Sequence, residues 1–330
     1  MIDFAEVRIV LVSAVVGAFI GAAYTFVVHH APLVGLLIGA AFGTVFPTIE
    51  ILLFKGEAGA QLRRSPFLVF LGVRIAIYLV LIVAIEISSV WLFYGRAAIG
   101  EIGLADIAFA LLISFLFNLL HAVADLLGPG VLFAFAAGRY HNPRPEERAL
   151  LFIDLCGSTA KAERLGDARF LDFLDAFLAD VSRDIVENGG EIHKYVGDEI
   201  IATWRLRNGR DNSGIVRAYL AAHDRLAARR EAYRREFGEG AEFRAALHIG
   251  VVMLGEVGSF KKEVALIGDP MNTAARILDA CRALGRPALA SRALVKPIGA
   301  LPASVRSDAI APLALRGKAE PLELVALEPP

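Results

Sequence analysis

The chain has 330 residues, with 34 Lys and Arg against 35 Asp and Glu, a formal net charge of −1 and a hydrophobic fraction of 56%. Its mean hydropathy of +0.56 is too high for an ordinary soluble protein, so part of it belongs in lipid. The near-zero charge gives no footprint for nucleic acid, and two cysteines, Cys156 and Cys281, make no disulfide framework and suit a reducing compartment.

Four apolar stretches open the chain, near Val7–Val28, Leu33–Phe54, Phe67–Trp91 and Leu104–Leu127. Each reaches the roughly 20 residues that a helix needs to cross a bilayer. They predict a four-helix transmembrane domain over residues 1–127. The leader before the first stretch is not basic and the stretch is longer than a typical signal core, so it reads as a retained helix. Lys55, Arg63 and Arg64 follow the second helix and Arg139, Arg144 and Arg148 follow the fourth, which puts both groups on the cytoplasmic side. A multi-pass protein of the cell (inner) membrane is expected, with everything after the fourth helix in the cytoplasm.

Charge inside a membrane helix is costly and is treated first as functional. Glu50, Arg74, His121 and Asp125 all lie toward the cytoplasmic side, and Ser114, Asn118, His121 and Asp125 share one helix face. Two readings stay open: Arg74 pairs with Glu50 or Asp125 to hold the helices together, or the cluster senses an unidentified ligand or partner. A haem shared by His29 or His30 with His121 is excluded by depth, since the fourth helix puts them about 25 Å apart.

Gly128-Pro129-Gly130 should break the fourth helix. Residues 128–147 then form a juxtamembrane connector stiffened by Pro143 and Pro145, acting as a transmitter or as a plain tether. From residue 148 to 330 the pattern becomes that of a folded cytoplasmic domain. The apolar run Ala149–Ile153 is a buried strand ending at Asp154, and Gly157-Ser158-Thr159 leads into a helix whose free N–H groups attract phosphate. Phe170, Phe173, Leu174, Phe177, Leu178, Val181 and Ile185 form a helical stripe that ends at Asn188-Gly189-Gly190.

Glu191–Val196 and Glu199–Trp204 read as a β-hairpin whose Gly197-Asp198 turn presents Asp198 at a strand end. Two strand-end carboxylates beside a phosphate-binding turn suit two Mg²⁺ ions bridging a nucleoside triphosphate. A helix over about Gly214–Phe237 follows, then strands near Phe243–Val251 and Val264–Ile267. The next helix enters at Asp269-Pro270 and puts Asn272 and Arg276 on one face. Closing strands are expected near Pro312–Leu315 and Leu322–Leu327, which completes an α+β sandwich of ferredoxin-like type. Cys156, though beside the Asp154 strand end, reads as a small core residue rather than a nucleophile.

Phe152-x-Asp154-x-x-Gly157-Ser158-Thr159, Lys194-x-x-Gly197-Asp198, Arg244-x-x-x-His248-x-Gly250 with Gly255-x-x-Gly258, and Asn272-x-x-x-Arg276 occur in one order. In that order they resemble the class III nucleotide cyclases, over about Glu147 to Leu327. The chain looks like a membrane-anchored bacterial adenylate cyclase of that class. The resemblance implies a helical transmembrane bundle followed by a ferredoxin-like cyclase domain that converts ATP to 3′,5′-cyclic AMP and pyrophosphate.

By the same resemblance Asp154, Asp198 and the Leu155 backbone carbonyl would hold two Mg²⁺, with Mn²⁺ able to substitute, and Asn272 and Arg276 would orient the ribose and stabilise the transition state. Lys194 would read the purine edge. Ser158, Thr159, Arg244 and Lys318 would meet the triphosphate, a solvated surface lysine being the alternative at Lys318. A homodimer with shared sites is implied. The departure is Ala265, where adenylate cyclases usually place Asp or Thr, and it weakens base selectivity. A guanylate or relaxed-specificity cyclase is therefore the rival enzyme, and a catalytically silent nucleotide-binding receptor the rival of another class.

Overall fold

The computed structural model describes residues 4–55, 59, 62, 65–95, 103–127, 142–206, 211–260, 262–298, 301–302, 305–313 and 321–329. The chain divides into two compact units, Met1–Val123 and Ala124–Pro330.

The first unit is helical: α1 (Phe4–Val28), α2 (Pro32–Ile49), α3 (Phe67–Tyr94) and α4 (Leu104–Leu127), each on a predicted apolar stretch. Three segments, Ile9–Val28, Pro32–Phe54 and Gly72–Tyr94, are long and apolar enough to cross a membrane, and the apolar described part of α4 runs over Leu104–Leu116. α1 and α2 pack backbone to backbone. A Cβ added to Gly21 would collide with the Gly35 carbonyl, and one added to Gly39 with the Gly17 carbonyl. Small residues four apart let membrane helices approach this closely, and dispersion along the contact holds them. Pro47 lies inside α2, and the chain then widens into a π-helical turn over Glu50–Lys55. A ring without an N–H loosens the local ladder, which is the usual setting for such a turn.

In the second unit the strands are β1 (Arg144–Leu155), β2 (Glu191–Val196), β3 (Glu199–Arg205), β4 (Phe243–Val257), β5 (Glu263–Ile267), β6 (Ala288–Ser291), β7 (Arg306–Leu313) and β8 (Leu322–Glu328). They form one sheet in the order β2-β3-β1-β4-β6-β8-β7, with β5 on β4. β2-β3-β1-β4 is antiparallel and is the ferredoxin-like core. Its crossovers are α5 (Ser158–Leu165) with α6 (Asp167–Glu187), and α7 (Gly214–Phe237).

Residues of β1 alternate between two cores. Leu151, Ile153 and Leu155 meet Phe173, Phe177 and Tyr219 from α6 and α7. Leu150 and Phe152 meet Ile277 and Leu278 of α8 (Asp269–Leu284) on the other face. Asp154, two residues beyond Phe152, therefore points to the α8 face.

Three differences from the sequence reading have physical causes. β1 reaches back to Arg144, opposite Leu254, so the last part of the predicted connector is strand. β6 and α9 (Arg292–Ile298) were not foreseen, since four residues Ala-Leu-Ala-Ser carry no period of their own. The strand expected near Pro312–Leu315 runs instead over Arg306–Leu313. As an edge strand paired only with β8 it is mostly exposed and lacks an apolar signature.

Candidate active site

Asp154 sits at the C-terminal end of β1, facing Glu199 of β3 on one side and Arg244 of β4 on the other. Three neighbouring strands thus place a carboxylate, a second carboxylate and a guanidinium side by side on one face. The β2–β3 hairpin closes through Gly197, whose φ of 63° is the left-handed conformation that favours glycine, and the next residue is Asp198.

One oxygen of Asp198, Oδ2, is buried and accepts no hydrogen bond. Its charge burdens its neighbours. Burial first, then the Asp198 carboxylate, push Asp154 above the usual carboxylate range, against the pull of Arg282 and Arg244. Glu199 is pushed up to about 7 by burial and by Asp154, Asp198 and Asp279. The only direct partner of Asp154 among the described residues is Arg282 of α8, whose Nη2 donates to Oδ2 at 3.0 Å.

An orphaned buried carboxylate oxygen beside a second, half-satisfied carboxylate fits a divalent cation. No group of three or more His, Cys, Asp or Glu among the described residues converges to enclose an ion. Mg²⁺ is typically held by one or two carboxylates together with substrate phosphates, and Asp154 with Asp198 offers such a carboxylate pair. Beside it α5 begins after Gly157 with no side-chain cap, so the first-turn N–H groups at Ser158 and Thr159 are free to meet an anion. Lys161 adds a cation there, donating to the Cys156 carbonyl at 3.0 Å.

Adenylate cyclase 2 of Rhizobium meliloti (strain 1021) is 30% identical over 337 residues, covering 98% of this chain and 91% of its own length. The chain belongs to the class III adenylate cyclase family. The adenylate cyclase of Anabaena cylindrica is 31% identical over 132 residues, which is 39% of this chain and 26% of that protein. A solved structure of a bacterial light-regulated adenylyl cyclase superposes with a TM-score of 0.59 at 19% identity, covering 68% of this chain and 66% of that one, and shows the shared fold. No family model matches the chain.

In this cyclase the other expected residues are distributed over two places. Lys194 of β2 is exposed and its Nζ lies 2.9 Å from Glu263 Oε2 of β5, the strand that also carries Ala265. Asn272 and Arg276 lie in the first half of α8, Asn272 exposed and Arg276 partly buried, with no ion pair to Arg276 among the described residues. Arg282, which holds Asp154, is ten residues beyond Asn272, about 15 Å along a helix. One chain therefore brings Asp154, Asp198 and Arg244 together but does not bring Asn272 to them. Leu155 closes β1 with a buried side chain, next to Asp154. Lys318 lies outside the described residues.

Glu199, Glu263 and Arg282 were missed. Glu199 directly follows Gly197-Asp198 and was within reach of the sequence; the other two depend on tertiary approach. Burial pushes the Cys156 thiol up, which matches its reading as a packing residue. In the membrane unit Arg74 Nη2 pairs with Glu50 Oε2 at 2.9 Å, and Tyr78 Oη donates to the same oxygen at 2.6 Å. This is the structural reading of that cluster; the His121 and Asp125 side chains lie outside the described residues.

Proposed function

We propose that the protein is a membrane-anchored adenylate cyclase that converts ATP to 3′,5′-cyclic AMP and pyrophosphate at sites shared between two copies of the chain. The observation that supports this reading is the orphaned Asp198 carboxylate beside Asp154, with Asn272 on α8 ten residues before the Arg282 that meets Asp154. Asp154 and Asp198, with the Leu155 carbonyl, would hold two Mg²⁺, or Mn²⁺ in their place. Bound there, the ions would acidify the ribose 3′-hydroxyl and neutralise the leaving pyrophosphate.

The chain's own residues do the positioning. Ser158, Thr159 and Arg244 receive the phosphates at the free helix end and the adjacent guanidinium, and Lys318 is proposed to join them. From the partner copy, Asn272 orients the ribose and Arg276 meets the charge that develops on the α-phosphate. Lys194 donates to the N1 acceptor of adenine. All four helices of the first unit are proposed to span the inner membrane, with the cyclase domain in the cytoplasm. A relaxed-specificity reading is favoured by one observation: Ala265 offers no side-chain acceptor, while Glu263 beside Lys194 supplies one that suits the donor edge of guanine.

Mixed dimers test the shared site. Chains carrying Asp198→Ala or Arg276→Ala are each expected to be nearly inactive alone. In a mixed dimer one site takes both intact halves. Random pairing makes about half the dimers mixed with one working site of two, so co-expression should recover about a quarter of parental activity. Mixed dimers that form and stay dead overturn the shared-site reading.

A further inference from the structure

The four helices of the first unit surround a cavity of about 340 Å³. Most of its wall is apolar or glycine, contributed by the tight α1–α2 pair and by α3 and α4. Ser13 and Ser114 line one end, while its polar groups with cross-helix hydrogen bonds lie toward the other, where α1 turns into α2. There Asp106 accepts from Tyr24 Oη at 2.7 Å, lies 2.8 Å from His29 Nε2, and accepts from the Gly103 backbone N–H at 3.1 Å. Tyr24 in turn stacks on Phe109, with centroids 3.9 Å apart.

Glu86 of α3 lines the same cavity and differs from Asp106 in one respect: among the described residues it has neither a hydrogen bond nor an ion-pair partner. A carboxylate in the middle of an apolar helix is expensive, and it persists where something satisfies it. The groups facing it are a second acid, Asp106, a histidine already engaged by that acid, and the aromatic rings of Tyr24 and Phe109. Acid and aromatic faces together select a cation, and an ammonium group suits both. Below this end the cavity continues along α1 from Tyr24 to Ser13 as an apolar shaft roughly 16 Å long.

We propose that this cavity binds an amphiphile with a single ammonium head, the head against Glu86 and the alkyl tail in the shaft toward Ser13. Two sources share that chemistry, a free lipophilic amine and the ethanolamine headgroup of a bilayer lipid. The head end of the cavity lies at Asp106, in the first turn of α4.

The test uses full-length protein in nonionic maltoside micelles and radiolabelled decyltrimethylammonium. Saturable binding of one probe per chain is expected, displaced by unlabelled probe but not by equal concentrations of decanol or decanoate. Glu86→Gln should weaken it about tenfold or more, and Ile113→Phe, which narrows the shaft seven residues below Asp106 on α4, should weaken it similarly. Absence of saturable binding, displacement by decanoate as effective as by the probe, or parental affinity in both variants overturns the proposal. If either variant fails to assemble, the headgroup series on the parent protein decides alone. Adding phosphatidylethanolamine, with a neutral galactolipid as control, separates the sources: competition by the first assigns the site to a bilayer headgroup, and its absence to a free amphiphile. The readout is binding, so its failure leaves the cyclase reading untouched.

Discussion

In the membrane unit Glu50 lies against Arg74 and Tyr78, and Arg74 spreads its guanidinium over the rings of Phe54, Phe70 and Tyr78 at 5.6 to 6.0 Å. In the catalytic unit Asp198 keeps a buried oxygen without a partner, and Glu199 beside it is pushed up to about 7. Both places hold carboxylates in surroundings that disfavour charge. At Glu50 the chain supplies the counter-charge itself; at Asp198 Oδ2 is left without a hydrogen-bond partner, and we propose that a metal ion supplies the counter-charge. The difference in partners separates the two acids more sharply than burial does, since Glu50 is the more buried of the two.

The contrast can be broken by neutralising each acid in turn. Asp198→Asn should lower cyclic AMP formation by a thousandfold or more while leaving thermal stability unchanged or raised, because it removes repulsion with Asp154 and Glu199. An Asn variant that keeps metal-dependent turnover in an activity assay would take Asp198 out of the site. Glu50→Ala should do the reverse. Loss of the carboxylate facing Arg74 is expected to cost about 3 kcal/mol of the membrane unit's stability with catalytic residues intact, read as a lowered denaturation midpoint in detergent.

A smaller effect sharpens the view of the base pocket. Ala265→Asp should raise the ATP over GTP ratio of kcat/KM about tenfold, or about 1.4 kcal/mol, by restoring an acceptor for the exocyclic amine. An unchanged ratio would place base reading elsewhere, with Glu263 the first residue to test.

The smallest effect is a pH slope. Burial, with Lys194 and Arg148 adding to it, depresses the His193 imidazole to about 4 from an ordinary value of 6.5. The unfolded chain therefore binds the proton first. Stability from this group is full above pH 6.5 and is lost as pH falls toward 4, by on the order of 1 kcal/mol after allowance for partial exposure. Melting followed by Trp204 fluorescence in a Trp91→Phe background should show that slope, and His193→Gln should flatten it.

What could be read from residues alone differed between the units for related reasons. The β2–β3 hairpin was legible to its ends because β-branched alternation and a Gly-Asp turn act locally. The strand-end positions of Asp154 and Asp198 were legible because each is fixed by its own neighbours in sequence. Arg282 and Glu263 were not, since their contacts to Asp154 and Lys194 cross 128 and 69 residues of chain. In the membrane unit hydropathy marked every helix, but an apolar stretch says nothing of which face meets which. The glycines at 17, 21, 35, 39 and 43 were the available signal for the α1–α2 contact. Glu86, an acid inside an apolar run, was the one for the cavity.

β1 runs without interruption from Arg144 to Leu155, pinned on one side to β4 along its whole length and on the other to β3 from Arg148 to Asp154. Mechanically it is a rod. Because side chains alternate, sliding it by one residue would carry Asp154 to the opposite face of the sheet, so the strand has no small displacement available along its own axis. Asp154 is thereby fixed in depth and facing by the paired strand from Arg144 to Ile153 before it.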